Sequence, residues 1–273
     1  IERRAVILAG PPGAGKSTVR REHVAGDDAP WLRIDADEFK RLLLQEAVRD
    51  GTYERLIIPP EVANAGERFY PMELASLVHQ ESSLLAIRLR EEAIAAGENV
   101  IVDSVMSDPE VALQLGRQLE VAGYDVEVLA VEVPYEVSQA SIEHRWQMDY
   151  TAAVEAGISD EEELGGRWVP SDYARSIFRE GQPSWPAVSA EQLASQVGAV
   201  SKFRQFRGDR PDGPREMVAE YRRTRPGAPL TQVLDPEARQ RMDEAQAKLA
   251  RLQPRHERPR RGPAPRGPHH SGD

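Results

Sequence analysis

The chain has 273 residues, 45 of them acidic and 35 basic, with a formal net charge of −10, 40% hydrophobic residues and no cysteine. This profile is typical of a globular protein, and the lack of cysteine excludes disulfides, thiolate metal sites and a cysteine nucleophile. No apolar run approaches the roughly 20 residues of a membrane span, and no N-terminal segment has the pattern of a signal peptide. We therefore expect a cytoplasmic protein that has no membrane partner.

The charge is distributed unevenly along the chain. Residues 251–273 contain six arginines and two acidic residues, so the remainder has a net charge of −14. An acidic domain repels the phosphate backbone of nucleic acids, and we expect no nucleic-acid partner for it. The end of the chain combines prolines and arginines without hydrophobic periodicity, which predicts a disordered basic tail over residues 253–273.

Strand and helix patterns alternate over the first 150 residues. Short apolar runs predict buried strands, in chain order, at residues 4–9, 31–34, 99–102 and 126–133. Helical periodicity predicts helices at residues 16–25, 38–48, 71–96, 109–122 and 134–148. Four strand–helix repeats with short connections predict an α/β fold, in which a mainly parallel sheet carries helices on both faces. Ligands of such a sheet bind at the carboxyl ends of its strands.

The pattern is less regular after residue 150. A segment rich in Glu and Gly (155–166) precedes predicted helices near 171–179 and 190–196 and a late strand at 200–206. Residues 208–230 are rich in Pro, Gly and Arg, which predicts a linker, and 236–252 have the pattern of an amphipathic helix. We divide the chain into a main domain (1–207), a linker with a C-terminal helix (208–252) and the tail (253–273).

The most specific motif follows the first predicted strand. The pattern G-x-x-x-x-G-K-S at residues 10–17 lies between a strand and a helix, which is the setting of a phosphate-binding loop. In such a loop Lys16 reaches the β- and γ-phosphates and Ser17 coordinates Mg²⁺. The predicted nucleotide-binding residues are Gly10, Pro11, Pro12, Gly13, Ala14, Gly15, Lys16, Ser17 and Thr18.

A phosphate loop alone is compatible with a switch GTPase, a motor ATPase or a small-molecule kinase. No Asn-Lys-x-Asp guanine signature follows a strand, and the chain is short for a motor, so a kinase is favoured. Phosphoryl transfer to a hydroxyl needs a carboxylate near the acceptor and cations over the migrating charge. Asp35 and Asp37 end the second strand, where Asp37 suits a general base and Asp35 suits either the acceptor or a helix N-cap. Asp103 ends the third strand, and could bind the acceptor or a magnesium water.

Three further charged residues are candidates by position. Glu81 falls between leucines of the predicted helix 71–96, so it either has a ligand or partner, or belongs to a helix phase that leaves it in water. Arg145 follows the fourth strand, and Arg167 lies in the irregular segment after it. A mobile helical lid that brings arginines onto the phosphates would neutralise the transferred group and exclude water.

These motifs resemble the zeta toxins, kinases that phosphorylate the sugar of UDP-N-acetylglucosamine and thereby block peptidoglycan synthesis. The resemblance covers roughly residues 3–207 and rests on the loop at 10–17, the strand end Ile34-Asp-Ala-Asp-Glu-Phe39, the helix motif His79-Gln-Glu-Ser-Ser83, the strand at 99–103 and the two arginines. It implies ATP, Mg²⁺ and a cognate antitoxin protein. It also implies that Asp37 is the catalytic base, that Asp103 contacts the sugar, and that Arg145 and Arg167 stabilise the transition state. We further expect Asp35 and Glu81 to bind the acceptor.

Two departures from the family pattern concern the acceptor. Ser104-Val105 stand where zeta toxins have Gly-Thr, and Asp103 is one methylene shorter than the family glutamate. Other acceptors of a kinase of this fold therefore stay open, among them an antibiotic hydroxyl, another metabolite or a polynucleotide 5′-hydroxyl. A nucleotide-binding interaction module is the alternative from another functional class.

Overall fold

Parallel strands with intervening helices dominate the architecture. The computed structural model describes residues 2–24, 30–66, 68–157 and 163–233, all within one compact unit that ends at Val233. Its strands are β1 (Arg4–Ala9), β2 (Leu32–Asp35), β3 (Val100–Ser104), β4 (Asp125–Glu132), β5 (Val200–Arg207), β6 (Glu216–Arg222) and β7 (Thr231–Gln232). Its α-helices are α1 (Lys16–His23), α2 (Ala36–Arg49), α3 (Pro60–Ala65), α4 (His79–Ala96), α5 (Pro109–Val121), α6 (Tyr135–Ala156), α7 (Ser171–Ser176) and α8 (Trp185–Gln196).

These strands form one sheet in the order β2-β3-β1-β4-β5-β6-β7. The first five in chain order pair in parallel, and β6 and β7 extend the sheet in antiparallel fashion. Because β1 is central, the chain that leaves it emerges in the middle of the carboxyl edge of the parallel strands. The loop at 10–17 therefore lies where ligands of a parallel sheet are bound.

Helices cover both faces of the sheet. The side chains of β1 point alternately to the two faces, and both sets are buried against helices. Ile7 packs in a cluster with residues of α5 and α8, such as Leu119 and Leu193. The neighbouring Leu8 points to the opposite face and packs with Val19 of α1. A strand with both faces buried requires an unbroken apolar run, which is the pattern of residues 5–9. The predicted α/β class and the mainly parallel sheet are confirmed.

Side chains cap the N-termini of helices α5 and α8. The carboxylate of Asp108 accepts hydrogen bonds from the backbone N–H of Glu110 at 2.9 Å and Val111 at 3.5 Å, and Pro109 occupies the first helical turn of α5. At α8 the Ser184 hydroxyl accepts from the N–H of Ala187 at 3.4 Å. These side chains satisfy helix N–H groups that have no partner within the helix.

The single long helix predicted over residues 71–96 is wrong. A 3₁₀ segment occupies Pro71–Val78, and α4 begins only at His79. Leu74 has non-helical backbone angles (φ −98°, ψ 16°), which break the periodicity assumed from the sequence. As a result Leu84 is 61% exposed, whereas Ser82 is fully buried.

The linker predicted over residues 208–230 is interrupted by strand β6, which pairs with β5. The Phe203 and Tyr221 rings stack across this pair, with centroids 5.8 Å apart. Sequence periodicity missed β6 because its first three residues, Glu216, Met217 and Val218, are exposed and give no apolar alternation. A π-helical turn (Tyr53–Ile57) and α3 were also not predicted.

The predicted helix 236–252 and tail 253–273 lie outside the described residues. None of the helices in the described part of the chain has the length and apolar content needed to cross a membrane.

Candidate active site

The phosphate loop is packed too tightly for side chains at its glycines. Gly13 has φ +71°, and a Cβ there would lie 2.6 Å from the backbone oxygen of Ser138 on α6. The Ser138 hydroxyl donates a 2.7 Å hydrogen bond to the Pro12 carbonyl. Gly15 has φ +88° and precedes the first residue of α1. The loop is thus fixed between the sheet and α6, with its end at a helix N-terminus, the arrangement that binds phosphate groups.

Lys16 completes this cradle. Its ammonium donates to the carbonyls of Gly10 at 2.9 Å and Pro11 at 3.4 Å. Burial lowers the pKa of Lys16, while the negative charges of Asp103 and Asp37 oppose that shift. Ser17 is exposed in the first turn of α1, so its hydroxyl is free to reach a ligand.

The residues present fit a nucleoside triphosphate with Mg²⁺. The described residues contain no group of three or more His, Cys, Asp or Glu side chains arranged to hold a metal. Magnesium in phosphate-loop proteins is instead held by one loop hydroxyl together with phosphate oxygens and water. Ser17 is the residue whose hydroxyl would take that position.

Arg215 supports the loop from the opposite side, and the sequence did not indicate it. Only 6% of this residue is exposed, and its Nε donates a 2.6 Å hydrogen bond to the Ala14 carbonyl. The same guanidinium binds the carbonyls of Arg210, Pro211 and Gly213 in the turn before β6. With 31 arginines in the chain and a predicted linker around it, Arg215 had no distinguishing sequence signal.

Two strand-end carboxylates lie side by side on the sheet. Asp35 and Asp103 are register partners of the parallel β2–β3 pair, and the guanidinium of Arg33 forms an ion pair with both. Burial and the charge of Asp103 raise the pKa of Asp35. Asp35 also caps α2, because its carboxylate accepts from the N–H of Asp37 at 2.9 Å. Its N-cap role, one of the two sequence interpretations, is therefore present in the fold.

Asp37 is held between two cations. Its carboxylate pairs with Arg167 and with Lys40, whose ammonium lies 3.2 Å away. Burial alone would raise the pKa of Asp37, but Arg167, Lys40 and Lys16 outweigh it and hold the pKa below its ordinary value of 3.8. The carboxylate is therefore ionised at neutral pH and able to accept a hydrogen bond from a hydroxyl. The buried Lys40 was not singled out from the sequence.

Two glycines bring Arg167 to this position. Gly165 has φ +78°, and a side chain on it would collide with Tyr70, while one on Gly166 would collide with the backbone of Trp146. The preceding Leu164 carbonyl accepts a 2.9 Å hydrogen bond from the N–H of Met72. The segment can run this close to its neighbours only because it lacks Cβ atoms, and Arg167 follows directly. Gly165 and Gly166 thus allow the close packing that positions Arg167.

The site residues surround a cavity of about 490 Å³. One end is polar and includes Pro12 and Lys16 of the loop. Among the predicted residues, Asp35, Asp37, Asp103 and Arg167 also line it. The rest of the wall is largely apolar and includes Val105, Met106, Val111, Leu115, Trp168 and Tyr173.

Two predicted residues are not part of the cavity wall. Glu81 is exposed on α4, and only the interpretation that left it in water agrees with the structure. It lies two residues after His79, which does line the cavity, and two residues turn an α-helix by about 200°. Arg145 is exposed on α6 and makes no hydrogen bond or ion pair with any described residue.

Comparison with known proteins adds independent information on the family. The family model "Zeta toxin" matches residues 55–212, more than half of the chain. The matched span begins after the phosphate loop and Asp37, so the geometry above describes a part of the site that the match does not cover. A comparison with curated proteins gave no match.

Solved structures similar to this chain include a component of the PezAT chromosomal toxin–antitoxin system of Streptococcus pneumoniae, with 13% identity and a TM-score of 0.47 over 92% of this chain and 87% of that one. The AvrRxo1-ORF1:AvrRxo1-ORF2 complex with sulphate ions matches with 16% identity and a TM-score of 0.50. A structure of that complex with ATP has the same identity and a TM-score of 0.49. The chain covers 62% of the matched AvrRxo1 chain in both, and 87% and 88% of this chain is covered.

At 16% identity, the likeness to the AvrRxo1 complex concerns the fold only. The family match, in contrast, spans all of α4, both strand–helix units that follow it, and the segment that carries Arg167. Together with the phosphate loop at the carboxyl edge of a parallel sheet, it establishes that this chain belongs to the Zeta toxin family and has a phosphate-loop kinase-like fold.

Proposed function

We propose that the protein is an ATP- and Mg²⁺-dependent kinase that transfers the γ-phosphoryl group to a hydroxyl of a nucleotide sugar, with UDP-N-acetylglucosamine as the acceptor. The observation that carries the proposal is that Lys16, Asp37 and Arg167 line one cavity at the carboxyl edge of the sheet. A phosphate-binding cation, an ionised carboxylate and an arginine that can reach the transferred group are the parts that phosphoryl transfer requires. Membership of the Zeta toxin family supports both the reaction class and the acceptor.

In the proposed reaction, Asp37 accepts the proton of the acceptor hydroxyl. The hydroxyl oxygen forms a bond to the γ-phosphorus, and the bond from that phosphorus to the bridging oxygen breaks, which leaves ADP. Lys16 binds the phosphate oxygens on which negative charge develops. Mg²⁺, held by the Ser17 hydroxyl and phosphate oxygens, would supply further charge neutralisation.

In this scheme Arg167 pairs with two groups in turn, the Asp37 carboxylate and the transferred phosphoryl group. In the described structure it pairs with Asp37. For Asp37 to bind the acceptor, Arg167 leaves that carboxylate and pairs with the oxygens of the transferred phosphoryl group. The planar guanidinium suits this exchange, because it can donate two parallel hydrogen bonds to phosphate oxygens. Arg145, exposed on α6 without a protein partner among the described residues, is the second arginine proposed to join it.

Asp103 and Asp35 are proposed to orient the acceptor sugar. Both line the cavity beside Asp37, and Arg33 pairs with both, which fixes their carboxylates at the strand ends. Acceptor binding by Glu81 would require a change in the position of this residue, because its side chain is outside the cavity wall. As a member of a toxin family, the protein is further proposed to act in the cytoplasm and to have an antitoxin partner.

The experiment combines the purified protein with ATP, Mg²⁺ and a panel of UDP-sugars, with mass spectrometry to detect a sugar nucleotide that gains a phosphoryl group. Wild type is expected to phosphorylate UDP-N-acetylglucosamine, and Asp37→Asn is expected not to. The matched control is Glu46→Gln, since Glu46 is an exposed carboxylate of the same helix that pairs with the exposed Arg49. Full activity of Asp37→Asn would contradict the assigned base.

One observation favours a second candidate, a kinase of the same fold with a different hydroxyl acceptor. Ser104 and Val105 line the cavity directly after Asp103, and the Ser104 hydroxyl accepts a 3.2 Å hydrogen bond from the N–H of Met106. That hydroxyl is therefore partly engaged within its own loop. If ATP binds and no UDP-sugar gains a phosphoryl group, the panel should be extended to antibiotics and other hydroxyl metabolites.

A further inference from the structure

Helix α4 presents one face to the cavity. His79, Ser83 and Arg90 all line it, and their spacing of four and seven residues places them on the same side of an α-helix. His79 lies at the catalytic end, because the charges of Lys40, Asp37 and Arg167 act on its imidazole. Eleven residues separate His79 from Arg90, which corresponds to about 16 Å along the helix axis. Arg90 therefore lies at the far end of this wall from Asp37.

The Arg90 guanidinium has no protein partner within the described residues. Its Nε–H is buried and donates to no atom of the described chain, and no carboxylate of the described chain forms an ion pair with the guanidinium. Burial lowers the pKa of Arg90, and the only opposing charge is that of the exposed neighbour Glu91. An unpaired, partly buried cation is unfavourable, and proteins normally supply a counter-ion.

The nearby acidic wall residue does not meet this need. Asp108 lines the same cavity, but its carboxylate caps α5 through the N–H groups of Glu110 and Val111. Much of the remaining wall comes from apolar residues of α5 and the segment before it, such as Met106, Val111 and Leu115. The cavity thus combines an apolar wall with one unsatisfied cation.

We propose that Arg90 is the anion anchor of the acceptor site: it binds a phosphate or another anionic group that lies at the opposite end of the acceptor from the reacting hydroxyl. The inference rests on the proposed kinase function and deepens it, because it defines the acceptor class as a molecule that carries an anionic group at the end opposite the reacting hydroxyl. Arg90 would then determine specificity through KM, without a part in the chemical step.

The first test compares three acceptors that share one sugar and differ in charge: UDP-N-acetylglucosamine, N-acetylglucosamine 1-phosphate and N-acetylglucosamine. Arg90→Met is expected to raise KM for the anionic acceptor used by wild type by about 10- to 100-fold. This factor corresponds to the free energy of one charge-assisted hydrogen bond. KM for ATP and for the neutral sugar, and kcat, should not change. The control is Arg88→Met, an exposed arginine two residues away on another face of α4.

An equal rise in KM for the neutral and anionic acceptors, or no rise at all, would overturn the anchor and leave the kinase function intact. A second measurement is independent of catalysis: calorimetric titration of UDP into wild type and Arg90→Met, each saturated with a non-hydrolysable ATP analogue so that the nucleotide site is blocked. UDP binding by wild type with at least a tenfold loss in Arg90→Met supports the anchor, even if no phosphoryl transfer is found. Equal affinities, or no UDP binding by wild type, count against it.

Discussion

The two halves of the cavity are built in different ways. The phosphate half comes from consecutive residues at the end of β1, whose backbone is fixed by glycines and by contacts to α6 and Arg215. The acceptor half consists of side chains from β2, β3, α2, α4 and the segment around Arg167, joined by ion pairs. The comparison teaches that the motif of the phosphate half can be recognised in one stretch of sequence, although distant contacts support it, whereas the side chains of the proposed acceptor half come together only in the folded chain.

The largest effect is expected in the acceptor half. Asp37→Asn should lower kcat by about 10³-fold, because the amide cannot accept the proton of the acceptor hydroxyl. ATP binding should persist, since the phosphate loop does not depend on this carboxylate. Steady-state kinetics and ATP titration of the same protein would separate the two effects. A parallel loss of ATP binding would show that the halves are not independent.

The next effect concerns the backbone of the phosphate half. Gly13→Ala should abolish or weaken ATP binding by at least about tenfold, because its Cβ would collide with the Ser138 carbonyl. Gly66→Ala is a matched control: Gly66 also has φ +71°, but nothing lies within 4 Å of the added Cβ. Both variants carry the strain of a left-handed residue, about 1 kcal/mol, so only Gly13→Ala should lose nucleotide. Equal ATP affinities of the two variants would disprove the steric argument.

A smaller effect is expected at Arg215. Arg215→Met removes charge-assisted hydrogen bonds to four backbone carbonyls, and we expect a loss of about 2–3 kcal/mol in unfolding free energy together with a higher KM for ATP. Denaturant unfolding and steady-state kinetics would measure the two quantities. Arg210→Met, which changes an arginine that is 73% exposed, should alter neither. An unchanged KM for ATP would limit Arg215 to a purely structural role.

The smallest effect is a pH dependence of stability. The folded-state pKa of Asp37 lies below 3.8, so its ionised form stabilises the fold above about pH 4, and that contribution is lost as the pH falls through the folded-state pKa. Thermal unfolding of wild type and Asp37→Asn between pH 7 and pH 3 should show a constant difference that shrinks only at the acid end. A difference that stays constant down to pH 3 would contradict the lowered pKa.

The sequence predicted the parts of the molecule that depend on neighbours in the chain. The parallel sheet follows from apolar runs at fixed spacing, and the phosphate loop from one contiguous motif. Asp37 and Asp103 were found because the carboxyl ends of parallel strands meet at one edge, so strand position alone placed them near the loop. Their catalytic roles stay predictions.

The parts that depend on distant contacts could not be predicted. Leu84 and Leu85 suggested a buried stripe, but the 3₁₀ segment before α4 changed the helix phase, and Ser82 took the buried position. Arg33 and Lys40 pair with Asp35 and Asp37, which are close in the chain, but such spacing of opposite charges is equally compatible with an exposed surface pair. Arg215 has no local signal, because it binds carbonyls of a turn and of the distant phosphate loop. In a chain with 31 arginines, only tertiary structure distinguishes a buried one.

The bond from Arg215 to Ala14 connects residues separated by 201 positions. During synthesis the phosphate-loop sequence therefore leaves the ribosome well before Arg215 is made. A nascent chain that has not reached β6 contains the phosphate-loop motif without its full set of contacts. This order of synthesis delays the complete support of the loop until β6 has been translated.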